Sequence, residues 1–185
     1  MEEVLWVEKY RPQSITDYVF VDERQKQQVE GWIKDGSIPH LLLSGEPGTG
    51  KTTLAKLIVN TIKCDSMIIN ASDENNVDTV RTKVKNFASS VGFAGFKVII
   101  LDEFDYMTPN AQAILTNLME TFSKHCRFIL TCNYEYKIIP ALRESRFIHF
   151  HIARPDPTEF TTRTATVLIN EGVEFGPNCY ASMML

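Results

Sequence analysis

Residues 45 to 52 read Gly45-Glu46-Pro47-Gly48-Thr49-Gly50-Lys51-Thr52, a complete G-x-x-x-x-G-K-T octet. It stands between an apolar triplet, Leu41-Leu42-Leu43, and a stretch carrying Leu54, Ala55, Leu57, Ile58 and Ile62 at helical spacing. A strand that enters a glycine-rich turn and leaves it as a helix is the setting in which such an octet cradles a polyphosphate. Glycines let successive backbone N–H groups wrap the anion, and the helix presents its positive amino-terminal end to the same charge. Lys51 is expected to reach the β- and γ-phosphates of ATP and the Thr52 hydroxyl to ligate Mg2+, with Thr53 continuing the binding loop into the helix. A flexible glycine turn with a solvated lysine is the plain alternative, which agreement between octet, strand and helix disfavours.

The rest of the chain alternates short apolar runs with longer amphipathic stretches, the pattern of a parallel sheet with crossover helices. Met67-Ile68-Ile69, Val98-Ile99-Ile100-Leu101 and Arg127 to Thr131 read as further strands, short and rich in β-branched residues. Asp78 to Val91 carries Val80, Val84, Phe87, Ala88 and Val91 at helical spacing among Arg81, Lys83 and Lys85, which predicts a partly exposed helix. Asn110 to Phe122 is a second helix, with Thr108 as its N-cap and Pro109 in the first turn, where a missing N–H costs nothing. Pro155-Asp156-Pro157 marks a linker, and Thr158 to Glu171 begins another helix. The expected fold is therefore an α/β three-layer module over residues 1–154, followed by the incomplete start of a helical domain over 155–185.

Asp102 and Glu103 follow the strand Val98 to Leu101 directly, at the carboxyl end where an α/β sheet places its ligands. Asp102 is expected to hold Mg2+ through its water shell and Glu103 to orient or deprotonate an attacking water. Two carboxylates capping the next helix are the alternative. Asn133, just past the strand Phe128 to Thr131, can hydrogen-bond the γ-phosphate or that water, or can be an ordinary turn asparagine.

The net charge of −4 means that any contact with nucleic acid must come from a local basic stripe or from helix amino termini. Cys64, Cys126, Cys132 and Cys179 lack both C-x-x-C pairing and a histidine at metal spacing, so buried thiols are expected rather than disulfides or zinc. Met1-Glu2-Glu3 opens without a basic leader, and no apolar run approaches the ~18 residues of a membrane span, so a cytoplasmic or nuclear location is expected.

Several phrases besides the octet resemble the small subunits of replication factor C and their phage counterparts, clamp-loader ATPases of the AAA+ class. Trp6-Val7-Glu8-Lys9-Tyr10-Arg11-Pro12 is similar to that family's opening signature, and Asn70-Ala71-Ser72-Asp73-Glu74 to the segment after its second strand. Asp102-Glu103-Phe104-Asp105 resembles the Walker B box, with Phe104 in place of the commoner Ala. Ala111-Gln112, Leu118-Met119-Glu120, Arg127 to Asn133, Lys137-Ile138-Ile139 and Ser145-Arg146 continue the likeness in order. This ordered set is more specific than the octet alone, which many unrelated nucleoside triphosphatases share.

The resemblance implies that Asn133 is the sensor-1 residue and that Arg146 is an arginine finger inserted into the ATP site of a neighbouring subunit, where a guanidinium stabilises the transferring phosphoryl group. The alternative for Arg146 is a surface ion pair. Tyr10, Arg11 and Pro12 would line the adenine pocket, or Trp6 and Tyr10 would be packing anchors. Arg81 and Lys83 would touch phosphates of primer-template DNA, or sit on a solvated helix; Phe93 would contact the sliding clamp, or pack in the core. Phe147 replaces the family's cysteine after Arg146, and Asn75 stands where relatives often carry a basic residue that links DNA contact to the Walker B glutamate. The implied function is an ATPase subunit that loads a processivity clamp onto DNA in company with other loader subunits. With the chain ending in the lid and the collar domain absent, the isolated fragment is expected to be inactive. A non-catalytic interaction module, or another AAA+ remodelling ATPase such as a Holliday-junction helicase, are the competing readings.

Overall fold

The computed structural model describes residues 5–73, 77–92, 96–144, 146–154 and 157–173. In chain order the main elements are α1 (Trp6–Lys9), α2 (Glu23–Asp35), β1 (Leu41–Ser44), α3 (Lys51–Ile62), β2 (Asp65–Asn70), α4 (Val77–Ser89), β3 (Lys97–Asp102), α5 (Pro109–Phe122), β4 (Cys126–Cys132), α6 (Pro140–Arg143), β5 (Ile148–His151) and α7 (Pro157–Asn170). The strands form one parallel sheet in the order β2-β3-β4-β1-β5. This is the α/β three-layer architecture expected from the alternation of strands and helices.

The layers follow from the two-residue period of a strand. Leu41 and Leu43 of β1, with Val98, Ile100 and Ile129, face α2 and α3, where Val29, Leu54, Leu57 and Ile58 complete one core. Leu42, with Ile99, Leu101, Phe128 and Leu130, faces the other side, where Val80 and Val84 of α4 and Leu115 and Met119 of α5 complete the second. Both faces of β1, β3 and β4 are covered, and these strands read as continuous apolar runs for that reason.

Local signals set the helix ends. The Thr108 side chain accepts from Ala111 N at 3.3 Å with Pro109 in the first turn of α5, as the sequence predicts. Asp22 caps α2 in the same manner, and Gly36 closes that helix in the left-handed conformation at φ 62°. Helix α4 ends at Ser89, before the predicted limit at Val91. Lys97, almost fully buried, aims its ammonium at the carbonyls of Phe87 and Ser90 and takes over the end of the helix, while Val91 is 88% exposed and adds nothing to the apolar stripe.

Two elements carried no clear sequence signal. In β5 only Phe150 is buried, stacked on Trp32 at 5.3 Å, so this edge strand has one apolar anchor where a central strand has several. Helix α2 is mostly polar and buries only Val29 fully.

Candidate active site

Three strands deliver the site. β4 lies between β1 and β3, with Leu43 paired to Thr131 and Leu101 to Leu130. The loop after β1 holds the glycine octet, the end of β3 carries Asp102 and Glu103, and the end of β4 carries Thr131 to Asn133. Parallel strands in this order place all three carboxyl ends side by side, where open α/β sheets bind ligands.

Two glycines of the loop are required by close approach. Gly45 has φ 151°, and a Cβ there would collide with the carbonyl oxygen of Ile152. Gly50 has φ 90° at the N-cap of α3, and a Cβ would lie 3.2 Å from the ring of Tyr18. The loop is thus seated between Tyr18 and the chain leaving β5. Arg154 Nε reinforces the second contact with an ion pair to Glu46 Oε2 at 2.5 Å.

Lys51 is buried at the start of α3. Its ammonium donates to the carbonyl oxygens of Gly45 at 2.8 Å and Glu46 at 2.7 Å. Burial lowers its pKa from the ordinary lysine value, against the opposing pull of Asp105, Asp102 and Glu103 among its neighbours. Thr52 Oγ1 donates to Asp102 Oδ1 at 2.7 Å. Thr131 Oγ1 donates to the same oxygen at 2.6 Å and accepts from Glu103 N at 3.0 Å. Glu103 itself adopts the left-handed conformation, φ 55° and ψ 40°, unusual for a residue with a Cβ. Phe104, fully buried, fills the core directly beneath this turn.

These groups open onto one cleft of about 650 Å3. Tyr10, Arg11 and Pro12 line it, as do Pro47 to Thr53, Glu103 and Asn133. Gly45 and Glu46 stand behind the loop and contribute carbonyls to Lys51; Asp102 is reached through Thr52. The arrangement fits a magnesium nucleotide: the volume suits a ligand of that size, the loop leaves no room for side chains at Gly45 and Gly50, and a hydroxyl and a carboxylate, both hard oxygen donors, meet at 2.7 Å.

Other candidates lie elsewhere. Arg146 is exposed and forms an ion pair with Glu120, beside His40, Met119, Ser123 and Phe147 in a separate hollow of about 270 Å3. Arg81 and Lys83 are exposed on α4, flanking the buried stripe of Val80, Val84 and Ala88 on either side, and do not line the cleft. Phe93 and Asn75 lie outside the described residues.

The sequence reading passed over Thr131, Tyr18, Phe160 and Arg163, all of which line the cleft. Thr131 had a signal, standing two residues before Asn133 on an apolar strand. Tyr18 lies in an irregular stretch, and Phe160 and Arg163 come from α7, so nothing local to them points to the loop.

Comparison with known proteins gives a consistent picture. The profile of the ATPase family associated with various cellular activities (AAA) matches residues 41–154. The replication factor C small subunit of Sulfurisphaera tokodaii is 44% identical over 184 residues, covering 94% of this chain and 55% of that protein. That of Archaeoglobus fulgidus is 43% identical over 178 residues, covering 92% of this chain and 55% of the relative. The chain spans about half the length of the curated relatives it matches. Two solved structures of Thermotoga maritima RuvB variants align with TM-scores of 0.73 and 0.75, covering 95% of this chain and 58% and 59% of theirs; at 19% and 17% identity the likeness is one of fold.

Proposed function

Because the chain belongs to the AAA family of ATPases, we propose that it binds and hydrolyses MgATP as a subunit of a sliding-clamp loader, which places a processivity clamp on primer-template DNA. The observation that carries the ATPase reading is the bond network at Asp102, where Thr52 and Thr131 converge on one carboxylate oxygen beside Glu103 and Asn133. The clamp-loader reading is supported by the similarity to replication factor C small subunits.

Mg2+, when bound, would supply charge that neutralises the phosphates. The backbone N–H groups of the octet hold the phosphates, and Lys51 exchanges the carbonyls of Gly45 and Glu46 for phosphate oxygens. Thr52 would hold the metal directly, and Asp102, which accepts the Thr52 hydroxyl, would hold it through water. Glu103 takes the proton of the attacking water, Asn133 orients that water against the γ-phosphate, and Tyr10, Arg11 and Pro12 receive the adenine. Arg146, exposed on its own subunit, completes a neighbour's site. Phe160 and Arg163 line the cleft from α7, which supports reading residues 155–185 as the start of a lid. Arg81 and Lys83 track DNA phosphates without reading bases, and Phe93 meets the clamp. The subunit works wherever DNA is replicated; among the described residues no helix is long and apolar enough to cross a membrane.

The test is ATP turnover by the full-length chain with its partner subunits, with and without primer-template DNA and a ring clamp. A clamp loader needs both for full stimulation. Turnover indifferent to the clamp would point to a remodelling ATPase, and none at all to an interaction module.

A further inference from the structure

The segments that carry Glu103 and Asn133 are tied together twice, once on each side of those residues. The first tie is the Thr131 hydroxyl, 1% exposed, which accepts from Glu103 N and donates to Asp102 Oδ1. The second is Asp105, whose Oδ2 accepts from Tyr134 N at 3.2 Å. Glu103 falls between Asp102 and Asp105 on one segment, and Asn133 between Thr131 and Tyr134 on the other. Two rungs therefore bracket the pair that faces the cleft.

Each rung has a feature that packing alone does not require. Thr131 uses both hydrogen-bonding capacities of its hydroxyl on the Asp102-Glu103 segment, where a valine would fill the same space. The bond to Glu103 N holds a residue in the left-handed region, a conformation that costs ~1–3 kcal/mol and persists only where its surroundings impose it. Asp105 is 4% exposed, yet its Oδ1 is buried without a hydrogen-bond partner. An under-satisfied carboxylate is an expensive way to fill a core, and the hydrogen bond found for it goes to the backbone next to Asn133.

We propose that Thr131 and Asp105 are positioning residues, which fix the Glu103 carboxylate against the Asn133 amide so that both address one water. The proposal rests on the ATPase reading and adds to it the two residues that hold its hydrolytic pair in register. Asp105 does not line the cleft, and Thr131, which does, spends its hydroxyl on Asp102 and Glu103. Asp105, acting through the backbone beside Asn133, sets the rate of the chemical step and leaves substrate affinity alone, whereas Thr131, bonded also to Asp102 Oδ1, affects the rate more than the affinity.

The experiment compares Thr131→Val, Thr131→Ser, Asp105→Ala and Asp105→Asn in the full-length chain assembled with its partners. Steady-state ATPase, thermal unfolding and amide hydrogen exchange at Glu103 and Tyr134 are measured on each. Thr131→Val lowers kcat ~10–100-fold, the cost of a small misplacement of reacting groups, and raises KM by a smaller factor because Asp102 Oδ1 loses a donor. Thr131→Ser, which keeps the hydroxyl, restores most of the rate. Asp105→Ala lowers kcat about 10-fold with KM within about twofold and lowers the Tm only slightly, because the lost acceptor of Tyr134 N is offset by removal of an unsatisfied buried oxygen; Asp105→Asn, which keeps an acceptor for Tyr134 N, loses less of both. Exchange quickens at Glu103 in Thr131→Val and at Tyr134 in Asp105→Ala. Wild-type kcat in Thr131→Val and Asp105→Ala, a kcat loss in proportion to the fall in Tm across the four variants, a rise in KM as large as the loss in kcat, or no rescue by serine would overturn the proposal. Absence of turnover in the wild-type assembly would defeat the ATPase reading, and unchanged exchange at both amides would then defeat the rungs separately.

Discussion

Thr52 Oγ1 and Asp102 Oδ1 stand 2.7 Å apart, joining the first turn of α3 to the last residue of β3. On the proposed function, this hydroxyl and the carboxylate to which it donates, at the mouth of the phosphate loop, act as one unit that would hold the metal. Asp102→Ala is expected to weaken MgATP binding ~10–100-fold, the usual scale for a group that orients a metal ligand, and to reduce the further loss of affinity that EDTA causes. Titration calorimetry with and without EDTA measures this. A variant that loses affinity on chelation as the wild type does would remove Asp102 from the metal site.

Lys51 and Glu103 line the same cleft, yet their replacements should behave differently. Lys51→Ala is expected to abolish measurable MgATP binding, because it removes the buried cation from the phosphate loop. Glu103→Gln should leave binding intact and slow hydrolysis ~10^2 to 10^4-fold, the usual contribution of a positioned general base. Normal turnover with glutamine at position 103 in the assembled complex would show that the proton goes elsewhere.

The ion pair between Arg146 and Glu120 holds the guanidinium at the surface of its own subunit. In the isolated chain, Arg146→Ala should therefore change nothing in nucleotide binding. In an assembled complex it should reduce turnover at the adjacent site, where fingers supplied in trans contribute ~10^3 to 10^5-fold. Mixing Arg146→Ala subunits with Glu103→Gln subunits rebuilds intact sites at some interfaces and should restore part of the activity. Failure to recover any at all mixing ratios, with assembly verified by light scattering, would rule out action in trans.

His40 gives the fold a pH dependence. Its Nδ1 accepts from Phe128 N at 3.1 Å, and the ring lies against Phe128 and Phe147. Burial, with the nearby Arg127 charge adding to it, pushes its pKa down to about 4 from an ordinary 6.5. The unfolded chain then binds a proton that the folded chain refuses, so this contribution is fully present above about pH 6.5 and is lost as pH falls towards about 4. His40→Asn keeps an acceptor for Phe128 N but cannot titrate. The Tm of the wild type should fall more steeply than that of His40→Asn between about pH 7 and 4.5; parallel curves would locate the acid sensitivity in other groups.

Much of the site was legible because its parts are written in consecutive residues. The octet from Gly45 to Thr52 carries its own turn chemistry, Asp102 and Glu103 follow an apolar run, and Thr108-Pro109 announces the helix they begin. Local sterics and hydrogen bonding decide such features, and they act over a few residues. Hydrophobic period likewise predicted β1, β3, β4, α3, α4 and α5, because both faces of the inner strands are buried.

The tertiary structure decided the order β2-β3-β4-β1-β5, which brings β4 between β1 and β3 and so sets Thr131 beside Asp102. It also set Tyr18 against Gly50, the carbonyl of Ile152 against Gly45, and Phe160 and Arg163 at the cleft. Strand neighbours in a parallel sheet are chosen by how crossover helices cover its two faces, a property of the whole chain. The residues of the proposed magnesium nucleotide site were therefore readable one by one, while their distances from one another exist only once both cores have closed on the sheet.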